Sequence, residues 1–307
     1  MPLHERVKTA LDETRTLLLG GQILIGFEFR AAFEERFDAL PALARAANSV
    51  ALCLMVLAIG LLIAPSALHR IAERGESTGR IHLLAGRLAA LGLLPFGLSL
   101  GLNVGTALCP ASASPWIAIL IAPIFIGGAF FGWFVAGWMM RRHEGHRSRA
   151  RAEEERSSRE VAPLHARIEQ MLTETRVILP GAQAILGFQL IIVLSSGFDR
   201  LPPSSRLLHG VALIALAMAV ILLVTPAALH RIVWAGEDSE DFLRVGGRIT
   251  ACSLLPLAIG IVVETFVVLR RATGSLAIAT TGAAASGVLL LALWLAWPLA
   301  LRRGQNT

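Results

Sequence analysis

The sequence predicts an all-α transmembrane protein with eight helices, arranged as two four-helix repeats that point the same way. The 307-residue chain is 55% hydrophobic and only 16% charged, against about 25% charged residues in an average soluble domain. Its apolar residues form runs long enough to cross a bilayer, and no run alternates apolar and polar residues as a half-buried strand does. The chain also repeats itself at a fixed spacing.

The repeat is a tandem duplication that needs no gap. The stretch "APSALHRI" at 64–71 returns as "TPAALHRI" at 225–232, and "FDALP" at 37–41 returns as "FDRLP" at 198–202, so the offset is 161 residues in both cases. Four spans per repeat is an even number, so both halves keep one orientation. The duplication therefore predicts a near two-fold axis along the membrane normal, at which the first helices or the glycine-rich helices meet.

Each half contains four predicted spans close to the ~20 residues that cross a ~30 Å hydrocarbon core. The spans of the first half cover residues 17–37, 48–68, 83–105 and 115–139. Those of the second half cover residues 177–198, 208–229, 243–269 and 276–300. The predicted domains are a first membrane repeat at 1–142, a charged cytoplasmic linker at 143–165 and a second membrane repeat at 166–307.

The distribution of basic residues predicts the orientation. Most of the 28 Lys and Arg residues fall in the N-terminal segment, the loops after the second and sixth spans, the linker and the C-terminus. Because cytoplasmic segments carry an excess of basic residues, we expect both termini in the cytoplasm and a multi-pass protein of the bacterial inner membrane. The expected partner is the lipid bilayer rather than nucleic acid, and the sequence leaves the oligomeric state open.

A polar set recurs in each half near the predicted cytoplasmic interface, where a proline bends the helix end one turn before a His-Arg pair. We expect a Glu13–Arg87 contact and a Glu174–Arg248 contact, with a histidine beside each. The set either binds an anionic lipid head group or phosphate or gates an ion path, or it only anchors the protein by the positive-inside rule. Its members are Glu13, Arg15, His69, Arg70 and Arg87 in the first half and Glu174, Arg176, His230, Arg231 and Arg248 in the second.

Two acidic residues fall inside predicted spans. Glu28 lies eleven residues after Leu17, about 16 Å along a helix and so near mid-bilayer. An ionisable group at that depth is a functional-site hypothesis, here a proton or ion site. The alternative, which also stays open, is that the first span reaches the surface early, because further charged residues follow closely. Glu264, at the register of Asn103, is a second candidate, but its position toward the outer end of the seventh span favours a solvated carboxylate.

Two glutamines are retained in the first helix of each half. Gln22 and Gln183 each lie four residues before a retained glycine, on one helix face. An amide in the bilayer needs a partner, so we expect this face to pack inside the bundle.

Motifs of enzyme chemistry are missing from the sequence. The three cysteines show no metal-ligand spacing, and no phosphate-binding loop, catalytic-triad order or zinc-hydrolase motif occurs. We therefore expect no enzymatic activity, no cofactor and no metal site.

The motifs E-x-R, Q-x-x-x-G-F, P-x-x-x-H-R and G-R followed by L-L-P each occur about once per half. In the first half they begin at Glu13, Gln22, Pro65 and Gly86. The pattern resembles a family of small bacterial four-span membrane proteins of unknown function, some of whose members carry the automatic label sodium:proton antiporter. The resemblance implies a fused dimer of a four-span unit and supplies no characterised site residue.

Two functions are consistent with these observations. One is a proton- or cation-coupled transporter of a small ion or solute, in which Glu28 is the acid. The alternative is a non-transporting scaffold or anionic-lipid-binding protein that uses the basic set. A polar path from Glu28 to both faces favours the first, and a dry, glycine-packed interior with basic pockets facing lipid favours the second.

Overall fold

The computed structural model describes residues 3–73, 76–108, 123–124, 126–135, 159–160 and 163–304. Within these residues the chain is helical apart from turns and one short antiparallel pair, Ser77–Thr78 (β1) with Arg159–Glu160 (β2). Apart from that pair, the prediction of an all-helical fold is confirmed.

Long helices separated by short loops make up both halves. The first half contains α1 (Leu3–Ala31), α2 (Ala42–Ile71) and α3 (Gly79–Leu108). The second half contains α4 (Leu164–Ile192), α5 (Ser196–Asp199), α6 (Pro203–Ile232), α7 (Glu240–Thr273), α8 (Leu276–Leu291) and α9 (Trp297–Gly304). A π-helical turn at Ala292–Ala296 joins α8 to α9, and another occurs at the same register of the first half, Phe131–Val135.

Six helices among the described residues are long and apolar enough to cross a membrane: α2, α3, α4, α6, α7 and the α8–α9 segment Leu276–Arg303. Helix α1 is not among them, because its apolar stretch lies between Arg15 and Glu28 and is shorter than the ~20 residues that a span needs. The predicted fourth span, 115–139, lies largely outside the described residues. The prediction of eight spans therefore holds for six.

Local sequence explains where the helices begin and end. Pro41 and Pro202 precede α2 and α6, and each fixes an extended backbone just before the helix starts. Ser239 caps α7 by accepting a hydrogen bond from the Phe242 backbone N–H at 3.1 Å. Gly274 then ends α7 in the left-handed region at φ 68°, which a side chain would disfavour.

The two ends of the bundle differ in their residues. We call the end where α1, α3, α4 and α7 finish the Glu28 end, and the end where α2, α6 and α9 finish the arginine-rich end. The Glu28 end carries Asp38, which accepts hydrogen bonds from Arg200 and Arg271 of the other half, both at 2.8 Å. The Arg271 hydrogen bond holds the pKa of the Asp38 carboxyl below its ordinary value.

The halves meet through their first helices, α1 and α4. The rings of Phe27 and Phe188 lie 4.5 Å apart between centroids, and the Ser196 hydroxyl donates to Glu35 at 3.3 Å. Each pair joins residues 161 apart in sequence, so equivalent positions of the two repeats touch each other. Contacts between equivalent positions are those expected near a two-fold axis, and the first helices of the two halves are in contact.

Large apolar side chains cover much of the outside of the helices. Leu207, Ile214 and Ile221, on one face of α6, are 72%, 67% and 59% exposed. A continuous exposed apolar face of this kind suits contact with lipid rather than water. The fold therefore agrees with a multi-pass membrane protein.

Close approach of α1 and α4 depends on glycine. A Cβ atom added at Gly181 in α4 would lie 1.7 Å from Oε1 and 2.4 Å from Cβ of Gln22 in α1. Because the Cβ of Gln22 is fixed to its own backbone, rotating the side chain cannot relieve this overlap.

We predict that Gly181→Ala lowers the stability of the folded protein by about 1–3 kcal/mol through overpacking. Gly187→Ala is the matched control, since it lies on the same helix and a Cβ there meets nothing within 4 Å. Thermal unfolding of both variants in detergent measures the difference. Equal melting temperatures for the two variants would contradict the observed packing.

Candidate functional site

The Glu28 end contains a buried carboxylate in each half, on different helices. Glu28 in α1 is 2% exposed and Glu264 in α7 is 0% exposed. Because α1 ends at Ala31, Glu28 lies about one turn before the end of the helix. Its burial shows that an early helix end does not expose it to solvent.

Glu28 is held by two side chains of α3. The Ser99 hydroxyl donates to Glu28 Oε1 at 2.7 Å, and the Asn103 amide donates to the same oxygen. Ser99 and Asn103 reach one oxygen together because they lie one helical turn apart. The other oxygen, Oε2, is buried without a hydrogen-bond partner among the described residues.

A cavity of about 420 Å³ adjoins this carboxylate. Its polar walls come from Glu28, Asn48, Asn103 and Thr106, and the exposed residue Arg36 lies at its mouth with Glu34. The Asn48 side chain is 5% exposed, and its Oδ1 also lacks a partner among the described residues. The cavity is thus lined by two residues that each keep a buried side-chain oxygen without a partner among the described residues, and it reaches the exposed residues Glu34 and Arg36.

The second half pairs its buried acid with a histidine. Nδ1 of His209 in α6 lies 2.8 Å from Oε2 of Glu264, and its Nε2 lies 3.2 Å from the backbone oxygen of Gln189. The expected solvated carboxylate at Glu264 is wrong, because α7 continues to Thr273 and places Glu264 inside the bundle opposite α6.

The two carboxylates belong to equivalent sites of the two repeats. Each site has one acid and one amide, but the helices that carry them are exchanged between the halves. Gln189 stands at the register of Glu28, and Glu264 at the register of Asn103. His209, which the sequence analysis missed, stands at the register of Asn48. The sequence does contain a signal for His209, because His209 and Asn48 are both polar residues in otherwise apolar runs, each in the second helix of its half.

At the arginine-rich end, a buried ion pair joins the halves. Glu174 of α4 is 2% exposed, and its Oε1 lies 2.7 Å from Nδ1 of His69 in α2. Arg70 donates to Oε2 from Nε at 2.9 Å and from Nη2 at 2.6 Å. Gln170 packs on the far side of the ring, with its Nε2 3.4 Å from His69 Nε2. The expected glutamate beside a histidine is present, but the two come from different halves.

Other members of the predicted basic set lie elsewhere. The predicted Glu174–Arg248 contact is wrong, because Glu174 faces α2 and Arg248 is exposed. Arg87 is also exposed, and the Glu13–Arg87 contact stays a prediction because the side chains of Glu13 and Arg15 lie outside the described residues. The ring of His230 stacks on Phe242 at 4.5 Å between centroids. Two further members, Arg176 and Arg231, are exposed.

The glutamine pair does not keep the predicted symmetry. Gln22 is fully buried against α4, and both its amide atoms lack partners among the described residues. Gln183 is exposed. The predicted inward face is therefore confirmed for Gln22, which packs against Gly181 of α4, and wrong for Gln183.

A basic cavity of about 570 Å³ lies beside the buried ion pair. Two arginines of the cavity are neutralised by ion pairs, Arg167 by Glu240 and Arg244 by Asp241. Arg248 has no such partner within the described part of the chain. Its charged lining consists of Arg70, Arg167, Arg244, Arg248, Arg302 and Glu240.

The duplication also appears in the comparison with known families. A single family model matches residues 3–140 and again residues 153–298. The chain belongs to the family of unknown function DUF6328. Two matches to one DUF6328 unit support the tandem repeat, and they leave the site to be argued from its geometry. No curated protein and no solved structure matches the chain.

We predict that Glu174→Gln destabilises the protein by about 3–5 kcal/mol, because it leaves the Arg70 charge buried without compensation. Glu240→Gln is the control, since its carboxylate is 66% exposed and exposed pairs contribute at most about 1 kcal/mol. Unfolding of both variants in detergent provides the comparison. A Glu174 variant as stable as the Glu240 variant would show that the halves do not depend on this contact.

Proposed function

We propose that this DUF6328 protein is a proton- or cation-coupled transporter of a small ion or solute in the bacterial inner membrane. Glu28 is its ion-binding acid, and both termini are cytoplasmic. The observation that carries the proposal is that Glu28 lines a cavity that reaches the surface, while its buried Oε2 lacks a hydrogen-bond partner among the described residues.

A buried carboxylate without a counter-charge is costly in an apolar bundle. Glu28 receives neutral hydrogen bonds at one oxygen only, so its charge needs a proton or a cation. Glu264 differs, because the His209 ring already contacts it. Exchange of an ion with the surface is therefore expected at Glu28, beside the cavity.

Between Glu28 and the arginine-rich end, the described parts of α1 and α2 are packed with apolar side chains. Leu18, Ile25 and Ile59 belong to this packing and are at most 1% exposed. Gln22 interrupts it with an amide that has no partner among the described residues. A cavity at one end, with apolar packing and a buried polar group further along the described helices, agrees with one state of an alternating-access transporter.

We predict that Glu28→Gln lowers proton-coupled flux at least about tenfold, since an amide cannot exchange a proton. Purified protein in liposomes with a trapped pH indicator is exposed in turn to gradients of Na⁺, K⁺ and H⁺. Glu35→Gln is the control, because Glu35 is exposed at the same end. Gln189 shows that an amide is accommodated at this register. Flux that persists unchanged in the Glu28 variant would refute its role.

The proposed orientation places Cys109, which lies outside the described residues, on the outer side. Cys53 and Cys252 lie well inside α2 and α7, where a hydrophilic reagent cannot enter the bilayer. We predict that a membrane-impermeant maleimide labels intact cells at Cys109 and that Cys109→Ser abolishes the labelling. Labelling of Cys109 only in inverted vesicles would reverse the proposed topology.

Anionic-lipid binding is the second candidate function, favoured by the basic cavity. Arg248 and Arg302 line it next to an apolar helix surface, which suits a phosphate-bearing head group with its acyl chains alongside. We predict that the Arg248→Ala/Arg302→Ala variant retains fewer anionic lipids than the wild type in native mass spectrometry, whereas zwitterionic lipids are unaffected. Arg206→Ala, at the opposite end, is the control. Equal retention of anionic lipids by all three proteins would remove this candidate.

A further inference from the structure

We infer that the first half binds one small monovalent cation between Glu28 Oε2 and Asn48 Oδ1, and that the His209 imidazole fills the equivalent place in the second half. The inference rests on the proposed role of Glu28 as the ion-binding acid and names the class of ion. It follows from comparing two copies of one site within a single chain.

Among the described residues that line it, the first-half site presents oxygens, and its one cationic residue is the exposed Arg36. Glu28 Oε2 and Asn48 Oδ1 are buried and lack partners among the described residues. Asn103 and Thr106 add an amide and a hydroxyl to the same cavity. The Thr106 hydroxyl donates its proton to the Asn103 backbone oxygen at 2.9 Å, so its own oxygen keeps its lone pairs. Carboxylate, amide and hydroxyl oxygens are the ligands that hard cations prefer.

The charge of the site matches one monovalent ion. Glu28 supplies a single negative charge inside the cavity. Glu34, at the mouth, is exposed and paired with Arg30 at 2.7 Å, and Arg36 adds a positive charge there. A divalent ion would leave an uncompensated charge beside apolar walls, which is costly.

The second half shows how the same site is built around an imidazole instead of an asparagine amide. His209 replaces Asn48 at the same register, and its Nδ1 contacts Glu264 at 2.8 Å. Two hydroxyl residues of the first half, Ser99 and Thr106, also differ between the halves. Their equivalents in the second half are Gly260 and Val267, which have no side-chain oxygen.

Packing in the second half leaves little room for an ion. A Cβ atom on Gly260 would lie 2.6 Å from Cγ of Leu216, so apolar atoms occupy the space beside the register of Ser99. The first half keeps its cavity and its oxygens where the second half has an imidazole and leucine. The difference is expected if only the first half exchanges an ion.

Equilibrium binding of radioactive Na⁺ to the purified full-length protein in detergent tests the inference, with unlabelled Li⁺, K⁺ and Ca²⁺ as competitors. We expect one Na⁺ per chain in the wild type. Asn48→His, which introduces the imidazole of the second half, should weaken binding at least about tenfold, as losses of metal-site residues do. Ser49→Ala is the control, since its hydroxyl bonds to the Arg45 backbone oxygen. Should Asn48→His fail to fold, Asn48→Ala takes its place.

The outcomes separate this inference from the proposed function. Stoichiometric binding that Asn48→His abolishes supports the cation site, whether or not liposomes show flux. Flux that depends on Glu28 without binding of any alkali ion overturns the cation site and leaves a proton-coupled transporter. Binding that survives in the Asn48 variants, or that Ca²⁺ displaces in preference to Li⁺ and K⁺, also overturns it.

Discussion

A charged group that is buried in an apolar bundle, away from water, needs a compensating group, and this constraint organises the structure. Glu174 is compensated by His69 and Arg70 across the boundary between the halves. Glu264 is paired with His209 inside the second half. Glu28 and Glu264 each keep one buried oxygen without a hydrogen-bond partner among the described residues. Glu264 contacts a histidine, whereas the described donors to Glu28 are neutral and Glu28 lines a cavity. Among the described residues, Glu28 is therefore the one of the three that has neither an arginine nor a histidine beside it.

Duplication explains how one chain holds both kinds of site. Two copies of one unit start with identical sequences, and each copy can change alone after duplication. The acid of the site stands on the first helix of one half and on the third helix of the other. Glu174 of the second half contacts His69 and Arg70 of the first half, so this ion pair joins the two copies.

Periodicity and the repeat predict the helices, their order and the meeting of the first helices, since these depend on patterns that recur along the chain. They do not predict partners between distant helices. Glu174 and Arg248 share one level of the membrane by sequence, but Glu174 contacts α2. Gln183 has the register of Gln22, yet it is exposed. The position of Glu264 toward the outer end of its span, near Arg270, favours a solvated carboxylate, whereas His209 on a neighbouring helix contacts it inside the bundle.

The central claim is that Glu28, and not Glu264, is the acid whose protonation an external ion can change. Infrared difference spectroscopy of the protein in lipid, with Na⁺ added at constant pH, tests this directly through the carbonyl stretch of protonated carboxyl groups. The account predicts that Na⁺ removes one such band in the wild type and in Glu264→Gln, and that Glu28→Gln lacks this band. A Na⁺-sensitive band that survives in Glu28→Gln and disappears in Glu264→Gln would contradict it.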